Sequence, residues 1–210
     1  MRLSFAVLIC SLLIWKMCCE PKVIYKTTNL ECSPNPKITA NVSCILKAVN
    51  WNKAVAQMDM YLVEPVKNIT IHLKIFKRDY SNKYHPFLVD VVVNLCDIIG
   101  RRNYSPYGKF IWGLFKRYTN VNHSCPFMGH IFARDFFVDE SVVPMKLPLG
   151  HYLLALTPFE NYREKPPQTL GSIKLYAQSM VPVMPRRNIT KPTNKTNVVT
   201  TINIPIQNGN

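Results

Sequence analysis

The sequence predicts an all-β protein, an antiparallel β-sandwich of about eight strands with one amphipathic helix. Three segments alternate apolar and polar residues, the pattern of strands with one buried face: 57–63, 68–76 and 86–96. Weaker alternation predicts five further strands at 23–32, 43–51, 130–138, 151–159 and 171–178. Short strands in this number favour a sandwich or an open barrel.

One segment, SPYGKFIWGLFKRY (105–118), has a helical period instead. Its apolar residues recur at steps of three and four: Tyr107, Phe110, Ile111, Leu114, Phe115 and Tyr118. Ser105 suits the N-cap and Pro106 the first helical position. We therefore expect a helix whose aromatic face packs on the sheet, either as ordinary core or as the lining of a ligand site.

The two ends of the chain differ from its middle in composition. Residues 1–20 contain a basic Arg2 and an uncharged, mostly apolar run from Leu3 to Trp15. This run has the length of a signal-peptide core and is short for a bilayer-spanning helix, although a signal anchor is the alternative. Residues 21–180 form the predicted domain, and the Asn-, Thr- and Pro-rich residues 181–210 are predicted to be a disordered tail. We expect the chain to be secreted and not membrane-spanning.

Glycosylation sequons and a basic charge balance agree with an extracellular location. The candidate acceptor asparagines are Asn41, Asn68, Asn122, Asn188 and Asn194. The chain carries 26 Lys and Arg residues against 12 Asp and Glu residues, a net charge of +14. For a secreted protein this charge suggests contacts with anionic lipid headgroups, acidic glycans or a cell surface, and not with nucleic acid. Alternatively, the charge only keeps a glycoprotein soluble.

The predicted domain contains four cysteines, Cys32, Cys44, Cys96 and Cys125. An even number in an oxidising compartment indicates disulfides, and four cysteines allow three pairings. The order of the predicted elements favours a Cys96–Cys125 bond. Cys96 ends a strand, the helix follows, and Cys125 comes just after the helix, so the bond would join the two ends of this segment. A Cys32–Cys44 bond would then clamp the first two strands, but the sequence alone leaves the pairing open.

The segment NVNHSCPFMGH (120–130) raises two other uses for Cys125, a metal site or a nucleophile beside a histidine base. It lacks the second close Cys or His pair of a zinc site, and a disulfide-bonded cysteine has no free thiol. The sequence also has no Gly-rich phosphate loop, Gly-x-Ser-x-Gly elbow or His-Glu-x-x-His motif. We predict no catalytic residues, no metal site and no cofactor.

Six motifs follow one another over about residues 24–178: TNLEC (28–32), CILKAVNWN (44–52), EPVKNITIHLKIFKRD (64–79), KYHPFLVDVVVNLCDII (83–99), LFKRYTNVNHSCPF (114–127) and LPLGHYLL (147–154). In these motifs and their order the chain resembles a large insect family of secreted domains of unknown function, the chemosensory CheB proteins and, more distantly, the ML lipid-recognition and ganglioside-activator domains. Two residues depart from the pattern: Trp51 stands where arginine is common, and Lys83 stands where glycine usually precedes Tyr84.

The resemblance implies a sandwich, ML- or immunoglobulin-like, whose two sheets separate to admit a hydrophobic ligand. The inward-facing candidates for such a cavity are Met58, Met60, Leu62, Ile69, Ile71, Leu73, Phe87, Val89, Val91 and Val93, and the helix residues Phe110, Ile111, Leu114 and Phe115 could form a lid. A closed sandwich would bury the same residues as dry core, and the sequence does not separate these two outcomes.

Three functions remain open at the level of sequence. The first is a secreted, non-enzymatic carrier of a lipid or other small hydrophobic molecule, in chemosensation or reproduction. The second is an extracellular glycoprotein module with a filled core that interacts through its basic surface. The third is a secreted hydrolase, which the sequence favours least because it offers no nucleophile with a base and an orienting group. The resemblance favours the carrier.

Overall fold

A computed structural model describes residues 22–100, 105–141, 143, 145–162 and 166–184. The predicted signal peptide and residues 185–210 of the predicted tail lie outside these ranges. The described elements are, in order, β1 (Ile24–Pro34), β2 (Thr39–Asn50), β3 (Lys53–Val66), β4 (Ile69–Arg78), β5 (Tyr84–Asn94), α1 (Leu95–Ile99), α2 (Pro106–Tyr118), β6 (Phe127–Phe136), β7 (Gly150–Glu160), β8 (Gln168–Thr169) and β9 (Gly171–Met180).

The strands form two sheets, and every strand pairing in the described ranges is antiparallel. The large sheet has the order β1-β9-β7-β4-β5, with the short β8 added to β7. The small sheet has the order β2-β3-β6. Apolar residues from both sheets and both helices form one buried cluster. The predicted fold class, an all-β antiparallel sandwich, is therefore confirmed.

The eight long strands lie where the alternation of residues predicts them. The segment 86–96 departs from the prediction at its end, because Leu95 begins helix α1 and does not continue the strand. The side chain of Asn94 explains the change, since it accepts a hydrogen bond from the backbone N–H of Asp97 at 3.1 Å and so caps the helix. The structure thus has a second helix that the sequence pattern did not predict.

Helix α2 begins and ends as its sequence predicts. The Ser105 hydroxyl accepts a hydrogen bond from the backbone N–H of Gly108 at 2.9 Å, and Pro106 occupies the first turn. Gly108 weakens the helix intrinsically, but its position permits a close approach to α1. A Cβ atom at Gly108 would lie 3.1 Å from Cδ1 of Ile98. The glycine therefore lets the two helices pack together.

Two disulfides connect the parts of the domain. Cys32–Cys44 joins β1 of the large sheet to β2 of the small sheet. Cys96–Cys125 joins α1 to the segment before β6. These are the pairings that the order of the elements favours. In the described residues, no helix combines the length and the apolar character needed to cross a membrane.

Candidate functional site

An apolar pocket of about 80 Å³ lies between the two sheets and the C-terminal half of α2. Its lining comes from three structural layers. The small sheet contributes β3 and β6, the large sheet contributes β7 and β9, and the helix contributes Phe115 in its last turn. The main lining residues are Met58, Met60, Phe115, Val121, Ile131, Phe136, Leu156, Ile173 and Leu175.

A smaller pocket of about 30 Å³ lies next to it, beside the Cys32–Cys44 disulfide. The two pockets share Met58, Met60 and Ile173 as lining residues. Movement of these three side chains would therefore change the volume of both pockets at once. Methionine suits such movement, because its unbranched side chain adapts to irregular spaces. We call the two pockets together the intersheet site.

Strand register explains why these residues meet. On the small sheet, Met60 of β3 pairs with Ile131 of β6. On the large sheet, Leu156 of β7 pairs with Ile173 of β9. Since side chains alternate between the faces of a strand, Met58, Met60 and Leu62 share the inner face of β3. The outer face of β3 is polar at Asp59, which accepts a hydrogen bond from Arg134 Nη2 at 2.5 Å.

The lining of the intersheet site offers few polar groups. The Thr119 hydroxyl lines the larger pocket but is already engaged, because it donates to the Phe115 carbonyl oxygen at 2.7 Å and accepts from the backbone N–H of Val121 at 3.1 Å. The nearby Tyr118 is buried, and burial raises the pKa of its hydroxyl. The site is therefore chemically suited to an apolar molecule or an apolar portion of one.

The structure divides the predicted cavity residues into three groups. Met58, Met60 and Phe115 line the intersheet site. Phe87 and Val91 are half-buried against the core, and Phe87 also lines a surface cleft at the end of the large sheet. The remaining candidates are buried in the core cluster and line neither the intersheet site nor this surface cleft: Leu62, Ile69, Ile71, Leu73, Val89, Val93, Phe110, Ile111 and Leu114.

The residues that complete the intersheet site lie on strands whose sequence alternation is weaker. Ile131 lies on β6, Leu156 on β7, and Ile173 and Leu175 on β9. Period-two alternation within 171–178 places Ile173 and Leu175 on one face, so the signal was present in the sequence. The sequence did not show that this face meets Met58 and Met60, because that contact depends on how the sheets pack.

The two alternative roles considered for Cys125, metal ligand and nucleophile, both need a free thiol. Its sulfur is bonded to Cys96, so it has no free thiol for nucleophilic attack. His123 donates through Nδ1 to the carbonyl oxygen of Ser124 at 2.8 Å. Among the described residues, no group of three or more His, Cys, Asp or Glu side chains is arranged to hold a metal ion.

Three histidine–carboxylate pairs lie on exposed parts of the sheets. His130 Nε2 is 2.9 Å from Asp59 Oδ1, on the outer face of the small sheet. A hydrogen bond from Arg134, opposed in part by desolvation and assisted by His130, lowers the pKa of Asp59. The other two pairs are His72–Asp90 and His85–Asp79. These pairs connect neighbouring strands or the ends of a turn.

The predicted glycosylation sites differ in exposure. Asn41 and Asn122 are exposed, whereas Asn68 is half-buried. The Asn68 side chain accepts a hydrogen bond from Asn94 Nδ2 at 2.6 Å and donates one to the Asn161 carbonyl oxygen at 3.3 Å. Asn188 and Asn194 lie outside the described residues.

Comparison with known proteins gives one family match. Residues 71–154, from β4 to the middle of β7, match a family described as a protein of unknown function (DUF1091). The match agrees with the predicted resemblance to a family without an assigned function, while the resemblance to the CheB proteins stays a prediction. No curated protein matches the chain.

Among solved structures, the chain is similar to a Niemann-Pick type C2 protein from Japanese carpenter ant, with 14% sequence identity and a TM-score of 0.25. The match covers 75% of this chain and 93% of that chain. A TM-score of this size adds no weight to the fold assignment, which rests on the strand pairings.

Proposed function

We propose that this protein is a secreted, non-enzymatic binding protein for a lipid or another small hydrophobic molecule, held between its two sheets. The observation that supports this proposal is the intersheet site, an apolar space lined by both sheets and α2 and bordered by two methionines. A site of this composition binds through contact and desolvation of apolar surface. A role in chemosensation or reproduction belongs to the proposal only through the sequence resemblance to the CheB proteins.

The size of the intersheet site sets a condition on binding. Pockets that hold drug-sized ligands measure roughly 300–1,000 Å³, whereas the larger of the two pockets measures about 80 Å³. A lipid chain therefore requires the site to expand. Met58, Met60 and the half-buried Phe115 would have to move, and the two sheets would separate around them. The Cys32–Cys44 bond would keep β1 and β2 joined during this movement.

The alternative, an interaction module with a filled core, also has support. Nine of the fourteen predicted cavity residues are buried in the core cluster. The excess of basic over acidic residues would then act at the surface, on acidic glycans or anionic lipids. Retention on heparin that weakens steeply with salt would favour this alternative, because salt screens exposed charges.

The experiment that tests the proposal is native mass spectrometry of the chain secreted from insect cells and deglycosylated, with organic extraction of bound material. Binding of fluorescent fatty-acid and sterol probes is then measured for the wild type and two variants. Met60→Trp fills the intersheet site, and Met128→Trp makes the same change at a side chain of β6 that is 69% exposed.

We expect a lipid-sized adduct or probe binding in the wild type and in Met128→Trp. Met60→Trp should lose at least about tenfold in probe affinity, which corresponds to about 1.4 kcal/mol. Overpacking a core costs about 1–3 kcal/mol, so thermal unfolding must first establish that Met60→Trp is folded. If the wild type shows neither an adduct nor probe binding, the proposal of a carrier is wrong, and the interaction module with a filled core is the better explanation.

A further inference from the structure

A second, larger cavity opens at one end of the large sheet, away from the intersheet site. It has a volume of about 630 Å³ and lies between the β4–β5 turn and the first residues of β7. Among the residues that the structure describes, it shares no lining residue with the intersheet site. Its principal lining residues are Lys77, Arg78, Asp79, Phe87, Leu149 and His151. We call this cavity the end cleft.

Two cations in the end cleft lack a matching carboxylate. Neither Lys77 nor Arg78 lies within salt-bridge distance of an Asp or Glu side chain in the part of the chain that the structure describes. The Lys77 ammonium instead lies 5.3 Å from the ring centre of Phe87 and 5.9 Å from that of Tyr152. Aromatic faces hold a cation in place without neutralising its charge, so this ammonium remains available to an anion.

Among the described residues that line the end cleft, Asp79 supplies the one carboxylate, and its own turn engages it. Asp79 accepts hydrogen bonds from the backbone N–H of Lys83 at 2.9 Å and from the Ser81 hydroxyl at 2.8 Å. His85 Nε2 lies 2.9 Å from its other oxygen. Because these groups already satisfy Asp79, it does not reach across to neutralise Lys77 or Arg78. The cleft therefore keeps a net positive character at neutral pH.

The other lining residues add an apolar wall and a neutral polar group. Phe87, Pro86 and Leu149 provide apolar surface, and the Leu149 side chain is 57% exposed. His151, at the start of β7, is the polar group, and burial and the charge of Arg78 lower its pKa, which favours the neutral ring. Cations beside an exposed apolar wall match a ligand that has a negative headgroup and an apolar part.

We propose that the end cleft binds an amphipathic anion, with a carboxylate or phosphate headgroup at Lys77 and Arg78 and an acyl or aromatic part against Phe87, Pro86 and Leu149. The strand pairing creates this juxtaposition, because Lys77 of β4 pairs with both His85 of β5 and Tyr152 of β7. Two sources can supply this chemistry: a free amphiphile in solution and a headgroup in a bilayer. The proposal is independent of ligand binding in the intersheet site.

Isothermal titration of the full secreted chain with decanoate and with decanol tests the proposal. The two probes share a chain length and differ in charge. We expect Lys77→Gln/Arg78→Gln to weaken decanoate binding at least about tenfold, because the variant loses both positive charges that would pair with the carboxylate. Decanol binding, which reports on apolar sites, should not change.

Two further variants control for net charge and for lost packing. Lys47→Gln/Lys116→Gln removes the same charge at exposed positions on β2 and α2, and decanoate affinity should stay at the wild-type value. Asn82→Asp adds a carboxylate to the lining and keeps the Lys77 stem, and it should weaken decanoate binding. Equal decanoate affinity in the wild type and Lys77→Gln/Arg78→Gln, or an equal loss in the surface control, would overturn the proposal.

Vesicles distinguish the two sources of the anion. Phosphatidylcholine vesicles with and without phosphatidylglycerol are sedimented with the wild type and Lys77→Gln/Arg78→Gln. Charge-dependent decanoate binding without vesicle binding supports a free amphiphile. Binding only to phosphatidylglycerol vesicles, lost in the double variant, supports a bilayer headgroup. If neither probe depends on Lys77 and Arg78, the end cleft is not an anion site.

Discussion

Cys32 of β1 is bonded to Cys44 of β2, and these two strands belong to different sheets. The bond therefore links the two layers of the sandwich at the end where the smaller pocket of the intersheet site lies. Cys96–Cys125 has a different place, because it connects α1 to the segment that precedes β6. The two disulfides should thus have different effects on the movement of the sheets.

Replacing Cys32 and Cys44 with alanine should lower the free energy of unfolding by about 3 kcal/mol, the size of effect that loop closure gives in the unfolded chain. It should also loosen β2, an edge strand of the small sheet that the bond attaches to β1. Urea unfolding measures the first effect, and amide hydrogen exchange of β1 and β2 measures the second. Cys96→Ala/Cys125→Ala is the matched control.

In that control we expect a similar loss of stability. Amide hydrogen exchange should become faster around α1 but should not change in β2. Equal exchange of the β2 amides in the two double variants would show that Cys32–Cys44 does not restrain the separation of the sheets. Exchange is measured without a ligand, so the outcome does not depend on the proposed function.

The β4–β5 turn should give the protein an acid-sensitive contribution to stability through Asp79. A hydrogen bond from the backbone of Lys83, with others from Ser81 and His85, lowers the pKa of Asp79 from 3.8 to about 2. A carboxyl whose folded pKa is depressed stabilises the fold above its unfolded pKa, and this contribution disappears as pH falls through the folded value. The loss should therefore occur between about pH 4 and about pH 2.

Urea unfolding of Asp79→Asn across this range checks the expectation. The variant should be less stable than the wild type at neutral pH, and the two curves should converge near about pH 2. Glu140→Gln removes a carboxylate of an exposed ion pair with Lys22 and should keep the wild-type acid profile between these values. A constant difference between Asp79→Asn and the wild type at every pH would mean that ionisation of Asp79 is not the cause.

Among the predicted glycosylation sites, Asn68 should remain unmodified while Asn41 and Asn122 carry glycans. A glycan replaces one N–H of the amide, and Asn68 uses its amide nitrogen to reach the Asn161 carbonyl oxygen. It is also half-buried beside Asn94, whereas Asn41 and Asn122 are exposed. Glycopeptide mapping of the secreted chain measures occupancy at each site.

Asparagine-to-glutamine variants extend this test. Asn41→Gln and Asn122→Gln should each raise gel mobility by one glycan with little change in thermal stability. Asn68→Gln should leave mobility unchanged and lower stability, because its hydrogen bonds to Asn94 and Asn161 are lost. A glycan found on most copies of Asn68 would require these bonds to be absent in the secreted protein.

The sequence predicted elements better than it predicted the spaces between them. Alternation is a local signal, so the inner face of β3 could be assigned from 57–63 alone. The intersheet site depends on pairs that are distant in sequence, such as Met60 with Ile131 and Leu156 with Ile173. No periodicity within one segment contains that information.

The end cleft was not predicted for the same reason. Lys77 directly follows the predicted strand 68–76 and Phe87 lies in the predicted strand 86–96, but His151 and Leu149 join them only because β7 pairs with β4. Helix α1 was missed for a different reason. The apolar pattern would extend strand β5 to Leu95, but the Asn94 side chain caps a helix that begins there. A local hydrogen bond thus decides where β5 ends, whereas long-range strand pairing decides where the cavities form.

Removing the hydroxyl of Tyr118, at the end of α2, should cost the protein less stability than the burial of this residue suggests. Its side chain is 8% exposed, and its ring packs against Phe136 and Phe137 with ring centres 5.5 and 5.6 Å apart. Its hydroxyl is buried and has no hydrogen-bond partner among the described residues. An unsatisfied buried hydroxyl costs about 1–3 kcal/mol, and removing it recovers part of that cost.

Tyr118→Phe should therefore leave the free energy of unfolding unchanged or raise it by about 1 kcal/mol, because the aromatic contacts with Phe136 and Phe137 remain. Tyr152→Phe is the matched control, since the Tyr152 hydroxyl donates to the Pro148 carbonyl oxygen at 2.7 Å. That variant should lose about 1 kcal/mol, the usual net contribution of such a bond. Urea unfolding of both variants at pH 7 measures the difference. An equal loss in both would mean that the Tyr118 hydroxyl has a partner in solution, which a bound water at the end of α2 would supply.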